Sequence, residues 1–150
     1  MSKAFVDHFQ GVTQHYLKYR PSYPAALFDW LAQRCSQHEL AWDCGTGNGQ
    51  AAASLAQHFQ RVLATDASAA QIAAATVHER VEYRLAPAEN SGLEPASVDL
   101  LIVAQALHWF DLERFYAEAR RVLKPTGIVA VWCYGIVELE GDAANQLLQH

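Results

Sequence analysis

Leu40-Ala41-Trp42-Asp43-Cys44-Gly45-Thr46-Gly47-Asn48-Gly49-Gln50 is a short apolar run that ends in a carboxylate and passes into three glycines at alternate positions. The pattern predicts a strand feeding a helix through a tight turn. Glycine suits such a turn because it tolerates positive φ and lets a ligand approach bare backbone. The helix that follows would aim unpaired N–H groups and the positive end of its dipole at whatever binds there. A small-molecule site is the expectation from this stretch, and a glycine-rich turn without a ligand is the alternative.

The spacing separates two ligand classes. A dinucleotide fingerprint requires Gly-x-Gly-x-x-Gly, whereas here Gly45 and Gly47 are followed by Gly49, one residue early. Asp43 stands at the strand tip, where its carboxylate would repel a pyrophosphate and attract the ammonium of an amino-acid moiety. The segment from Asp43 to Gly49 resembles the glycine-rich loop of the class I S-adenosylmethionine (SAM)-dependent methyltransferases. The resemblance implies SAM as cofactor, with S-adenosylhomocysteine as product, and places Asp43, Gly45, Gly47 and Gly49 against it. An NAD-dependent oxidoreductase is the rival on the same scaffold, and Asp43 and the early third glycine count against it.

Composition narrows the field further. With 150 residues, about half of them apolar, the chain is one globular domain's worth with a single sizeable core. The net charge of -5 and the absence of any Lys/Arg-rich run leave no basic surplus for phosphates, so nucleic acid is not expected as substrate. Cys35, Cys44 and Cys133 are far apart and form no Cys-x-x-Cys pair, which argues against a disulfide framework or a metal cluster and suits a reducing cytoplasm. No stretch reaches membrane-spanning length, so no membrane partner is expected.

Residues 1–23 read as an aromatic N-terminal arm ending in Tyr16-Leu17-Lys18-Tyr19-Arg20-Pro21-Ser22-Tyr23-Pro24, whose two prolines forbid a helix across them. Pro24 can open the next helix, with Leu27, Phe28, Trp30, Leu31 and Cys35 on one apolar face. The Tyr-Arg-Pro-x-Tyr-Pro segment resembles a signature of the branch containing trans-aconitate methyltransferase-like enzymes. That implies an arm lying over the cofactor, with Tyr16, Tyr19 and Arg20 closing its methionine end; an arm simply packed by its rings is the alternative.

Beyond the glycines, residues 50–59 carry apolar side chains at helical spacing, and Val62-Leu63-Ala64-Thr65-Asp66 reads as a buried strand. Asp66, about 20 residues past the glycine loop, is positioned for the ribose hydroxyls of a nucleoside cofactor. SAM and NAD share that ribose, and a helix-start role is also open because Ser68 and Gln71 form a capping-box pattern. An alanine-rich helix is expected over Ala69 to His78, then a half-buried strand Val81-Glu82-Tyr83-Arg84-Leu85. In the family the next loop follows the adenine edge, which assigns Ala88 and Glu89 there; Glu89 as a solvated acid is the alternative.

Val98 to Ala104 reads as a central strand. The following Gln105-Ala106-Leu107-His108-Trp109-Phe110-Asp111 resembles the His-Trp-Phe-Asp segment of the same small-molecule branch. Gln105, also counted with the cofactor-binding set, and His108 would line the reaction chamber, and His108 is the candidate catalytic base; a packed structural histidine is the alternative. Asp111 caps a helix with Leu112, Phe115, Tyr116, Ala119, Val122 and Leu123 in one stripe. Leu123 to Gly127 is expected to form a turn and Ile128 to Cys133 a fifth strand.

Alternating strands and helices predict a doubly wound, Rossmann-like parallel α/β sheet of order 3-2-1-4-5 over a single domain. The resemblance implies a sixth and a seventh strand that the pattern does not supply, which reads as a truncated chain whose fifth strand is an exposed edge open to oligomer formation. The activity implied is methyl transfer from SAM to a small-molecule acceptor. A carboxylic acid, already ionised at neutral pH, would need proximity alone, whereas a hydroxyl would need a base. A non-catalytic SAM-binding module is the second reading.

Overall fold

A computed structural model describes residues 22–133. Tyr16, Tyr19 and Arg20 lie outside the described residues. The elements are α1 (Ala25–Ala32), β1 (Leu40–Cys44), α2 (Gln50–Leu55), β2 (Arg61–Asp66), α3 (Ala69–Ala73), β3 (Val81–Leu85), β4 (Val98–Ala104), a 3-10 turn (Leu107–Trp109), α4 (Leu112–Val122) and β5 (Leu123–Trp132). The five strands form one parallel sheet in the order β3-β2-β1-β4-β5, as the alternation of patterns predicts.

Both faces of the central strands are apolar because both are covered. Successive side chains point to opposite faces. Ala41, Val62, Ala64, Leu100 and Ile102 therefore meet Phe28 and Leu31 of α1 and Ala52 and Leu55 of α2. Trp42, Cys44, Leu63, Leu101 and Val103 meet Phe115, Ala119 and Val122 of α4. Trp42 is fully buried and its indole N–H donates to Thr65 Oγ1 at 2.9 Å, which satisfies the polar end of the largest core side chain.

Two buried carboxylates fasten loops to this core. Asp99 accepts from the Glu39 and Leu40 backbone N–H groups at 2.8 and 2.9 Å and pairs with Lys124 Nζ at 2.8 Å. Glu118 accepts from the Ser91 N–H and hydroxyl at 2.9 and 2.6 Å and from Arg121. These bonds hold the long β3–β4 connection against α4.

Local details differ from the sequence expectation. The helix expected to reach His78 ends at Ala73, and the crossover helix ends at Leu55. No helix lies between β3 and β4, so strand and helix do not alternate throughout. The stretch Leu123–Gly127 is extended and belongs to β5, where two steps along β4, Val98 to Leu100, face five along β5, Leu123 to Ile128. Gly127 serves this bulge through its size: a Cβ there would lie 2.9 Å from the Val98 carbonyl oxygen and 2.8 Å from Leu123 Cδ2.

Candidate functional site

The carboxyl ends of β1, β2 and β4 meet at the glycine loop. Gly45, Gly47 and Gly49 all have positive φ, of 75°, 59° and 86°. At Gly45 a Cβ would fall 2.6 Å from Ala106 Cβ, and at Gly49 it would strike the Tyr83 hydroxyl. Both glycines answer a conformational and a steric demand together.

The loop consumes most of its own amide donors. Gly45 and Thr46 N–H groups both donate to the Thr65 carbonyl at 2.9 Å, Gly49 N–H to Thr46 O at 3.1 Å, and Gly47 N–H to Asp66 Oδ2 at 2.9 Å. A pyrophosphate cradle needs such donors, and here they shape the loop instead. This weakens the dinucleotide reading further.

Asp43, 1% exposed, presents the principal charge at the strand tip. The Thr46 hydroxyl donates to its Oδ2 at 2.6 Å, which fixes its orientation. A cavity bounded by Tyr23, Asp43, Gly45, Thr46 and Ala104 opens beside it. Burial first, and then the Asp43 charge, push the neighbouring Cys44 thiol well above its ordinary pKa, so Cys44 stays a neutral core group. The Tyr83 hydroxyl is raised for the same two reasons.

Asp66 caps β2 and draws two segments together, accepting from Gly47 N–H and, at 2.9 Å, from Ser68 N–H. Ser68 also accepts from Gln71 N–H at 3.4 Å, which is the helix-start geometry. Ala88 is buried in the loop after β3. Glu89 Oε1 accepts from the Asp111 N–H at 2.8 Å, which ties that loop to the start of α4.

Gln105 follows β4 with φ of +61°, a left-handed conformation that costs a non-glycine residue on the order of 1 kcal/mol. Its N–H donates to the Trp132 carbonyl at 2.9 Å, so β5 holds it in place. His108 lies in the 3-10 turn, exposed, with its ring 4.6 Å from that of Trp109. It lines an open groove of about 580 Å³ together with Leu107, Leu112, Val131, Trp132 and Cys133. The structure thus gathers Asp43, the glycines, Asp66 and Gln105 at one end of the sheet and sets His108 on the adjoining groove. Thr46, Tyr83 and Trp132 were not anticipated as site residues; no pattern marks Trp132, whereas Thr46 sits inside the glycine motif itself.

The family described as methyltransferase domain matches residues 42–131, more than half of the chain. The chain belongs to the methyltransferase domain family. A provisionally named methyltransferase of Dictyostelium discoideum is 38% identical to this methyltransferase domain over 145 residues, covering 96% of the chain and 55% of the relative. A Saccharomyces cerevisiae protein provisionally named as an S-adenosylmethionine-dependent methyltransferase is 32% identical, covering 80% of the chain and 44% of the relative. A solved structure provisionally described as a type II methyltransferase from Anaeromyxobacter dehalogenans is 49% identical with a TM-score of 0.78, over 86% of this methyltransferase domain and 55% of that chain. The chain spans about half the length of these relatives. Among the described residues, no helix is long and apolar enough to cross a membrane.

Proposed function

We propose that this chain binds SAM at the glycine loop and supports methyl transfer to a small-molecule acceptor, a carboxylic acid of the trans-aconitate-like kind being the first class to try. The observation that carries the reading is the buried Asp43 carboxylate beside a loop whose amides are already engaged. Such a site suits a cation and not a pyrophosphate.

In this reading Asp43 holds the ammonium of the cofactor's amino-acid end, and the Thr46 hydroxyl keeps the carboxylate aimed. Gly45, pressed against Ala106, lets the loop close on the segment after β4 and so shapes the wall of the site. Asp66 binds the ribose hydroxyls, while Ala88 and Glu89 border the adenine. Tyr16 and Arg20, in the arm, close the methionine end. The sulfonium of bound SAM supplies the reactive methyl group, so the protein's work is alignment and exclusion of water. A carboxylate acceptor arrives ionised and needs no base. For a hydroxyl acceptor, His108 on the groove takes the proton.

Calorimetric titration of the full chain with S-adenosylhomocysteine and, separately, with NADH tests this. Roughly micromolar affinity for S-adenosylhomocysteine is expected, weakened about tenfold or more in Asp43→Asn and Asp66→Asn, with no NADH binding. Equal affinity of Asp43→Asn and the parent chain, or preferential NADH binding, would sink the reading.

A further inference from the structure

Three polar groups buried beside this site have no partner among the described residues: the Tyr23 hydroxyl, the Gln105 side-chain nitrogen and the Trp132 indole nitrogen. The sheet brings their residues to one corner. Ala104 is in register with Trp132, and Gln105 N–H bonds the Trp132 carbonyl. The Trp132 ring meets Tyr23 edge-on, with centroids 5.5 Å apart and planes at 86°. Tyr23 and Ala104 also border the Asp43 cavity, and Trp132 borders the groove that holds His108. The corner therefore lies between a cavity of about 10 Å³ beside Asp43 and the open groove beside His108.

A buried donor that bonds nothing forfeits its hydration, and proteins seldom tolerate one without a reason. Three at one corner beside a cavity point to a ligand group that satisfies them together. Trp132 can only donate, and the tyrosine hydroxyl and glutamine amide can both donate. The partner they share is an acceptor with several lone pairs, and an ionised carboxylate offers about four such sites. The strained backbone of Gln105 fits this, because left-handed non-glycine residues persist where the surroundings hold a side chain in a required direction.

We propose that Tyr23, Gln105 and Trp132 form a cradle of neutral donors for a carboxylate of the methyl acceptor, so that the substrate is an organic acid held by uncharged groups. This rests on the SAM reading of the neighbouring cavity. Asp43, reserved there for the ammonium, keeps the two ends of the site chemically distinct.

The test is binding of benzoate and of a linear tricarboxylate to the full chain, by calorimetry and ligand-observed NMR, with and without saturating S-adenosylhomocysteine. Methyl benzoate and benzamide serve as neutral controls. Trp132→Phe and Tyr23→Phe remove a donor and keep a ring, and Gln105→Glu replaces a donor with a repelling charge; melting curves verify that each variant is folded. At least one acid should bind where the neutral controls do not, about tenfold more weakly in Trp132→Phe and Gln105→Glu. Affinity for S-adenosylhomocysteine should stay within about twofold of the parent chain in Trp132→Phe, the one variant outside both the cofactor-binding set and the lining of the Asp43 cavity. The proposal is overturned if no acid binds, if the folded variants bind acids as well as the parent, or if Trp132→Phe loses S-adenosylhomocysteine instead, which would assign the corner to the cofactor's own carboxylate. Acid binding that depends on Trp132 in a chain that fails to bind S-adenosylhomocysteine would refute the cofactor reading and leave the cradle standing.

Discussion

At Gly45 two constraints act on one hydrogen atom. Its φ of 75° disfavours any side chain, and the space a Cβ needs is taken by Ala106 and Phe110. Gly45→Ala should cost about 2–3 kcal/mol in a urea melt and abolish S-adenosylhomocysteine binding; a variant that keeps parental stability would contradict the packing described here. The need for glycine at 45, 47 and 49 is legible in the alternate spacing, and Asp43 is legible as the polar end of an apolar strand. Tyr23 falls within the Tyr-Arg-Pro-x-Tyr-Pro segment, whereas Trp132 looks like any core-forming aromatic, and the pairing of β5 with β4 is what brings it beside Gln105. Gly127 illustrates a different failure. Its neighbours Pro125 and Thr126 suggest a turn, but the residue is small because the Val98 carbonyl and Leu123 crowd it.

Helices in this chain are as long as the surface they bury. In α4, Phe115, Ala119 and Val122 pack on the sheet, and the helix runs for eleven residues, as its apolar stripe predicts. By contrast, α3 buries none of its residues and stops after five, although alanine continues beyond it. Alanine propensity alone does not sustain a short helix without tertiary packing. At the start of α4 the Asp111 side chain accepts from the Arg114 N–H at 3.3 Å. Asp111→Ala should therefore lower stability by about 1 kcal/mol. Asp111→Ser should restore most of it, because serine caps as well. Guanidinium unfolding midpoints of the three proteins check this, and equal loss in both variants would assign the effect to something other than the cap. The extended stretch that begins β5 was illegible for a tertiary reason: Lys124 bonds Asp99 and Glu39 across the sheet and draws the backbone into line.

For the molecule as a whole, sheet order and both packed faces follow from the alternation of patterns, while the fastenings between loops do not, since they depend on charges meeting across long separations. Those fastenings set the response to acid. The Arg121 guanidinium, opposed by burial and assisted by Ser91, brings the Glu118 carboxyl down from 4.5 to about 2. Burial pushes Asp99 upward, but Lys124 and the Leu40 and Glu39 amides outweigh it and hold it below its ordinary value. A carboxylate depressed in the folded state contributes stability that is fully present above its unfolded pKa and lost as pH falls through the folded one. Melting temperature should stay level down to about pH 5 and then fall toward pH 2, with Glu118 accounting for on the order of 2–3 kcal/mol. A Glu118→Gln chain should be less stable at pH 7 and flatter across that acid range in calorimetric scans; an unchanged acid slope would show that Glu118 is not the group responsible.

The neighbouring central strands β1 and β4 are bracketed by the Leu40 to Asp99 hydrogen bond, which spans 59 residues. This has a consequence during synthesis. The glycine loop leaves the ribosome before Ala106 and Phe110, which wall it, and before Trp132, which anchors Gln105. Closing such distant pairs is the slow part of building a parallel sheet. The glycine loop is therefore made before the residues that wall it, and its final shape waits until β4 and β5 have emerged.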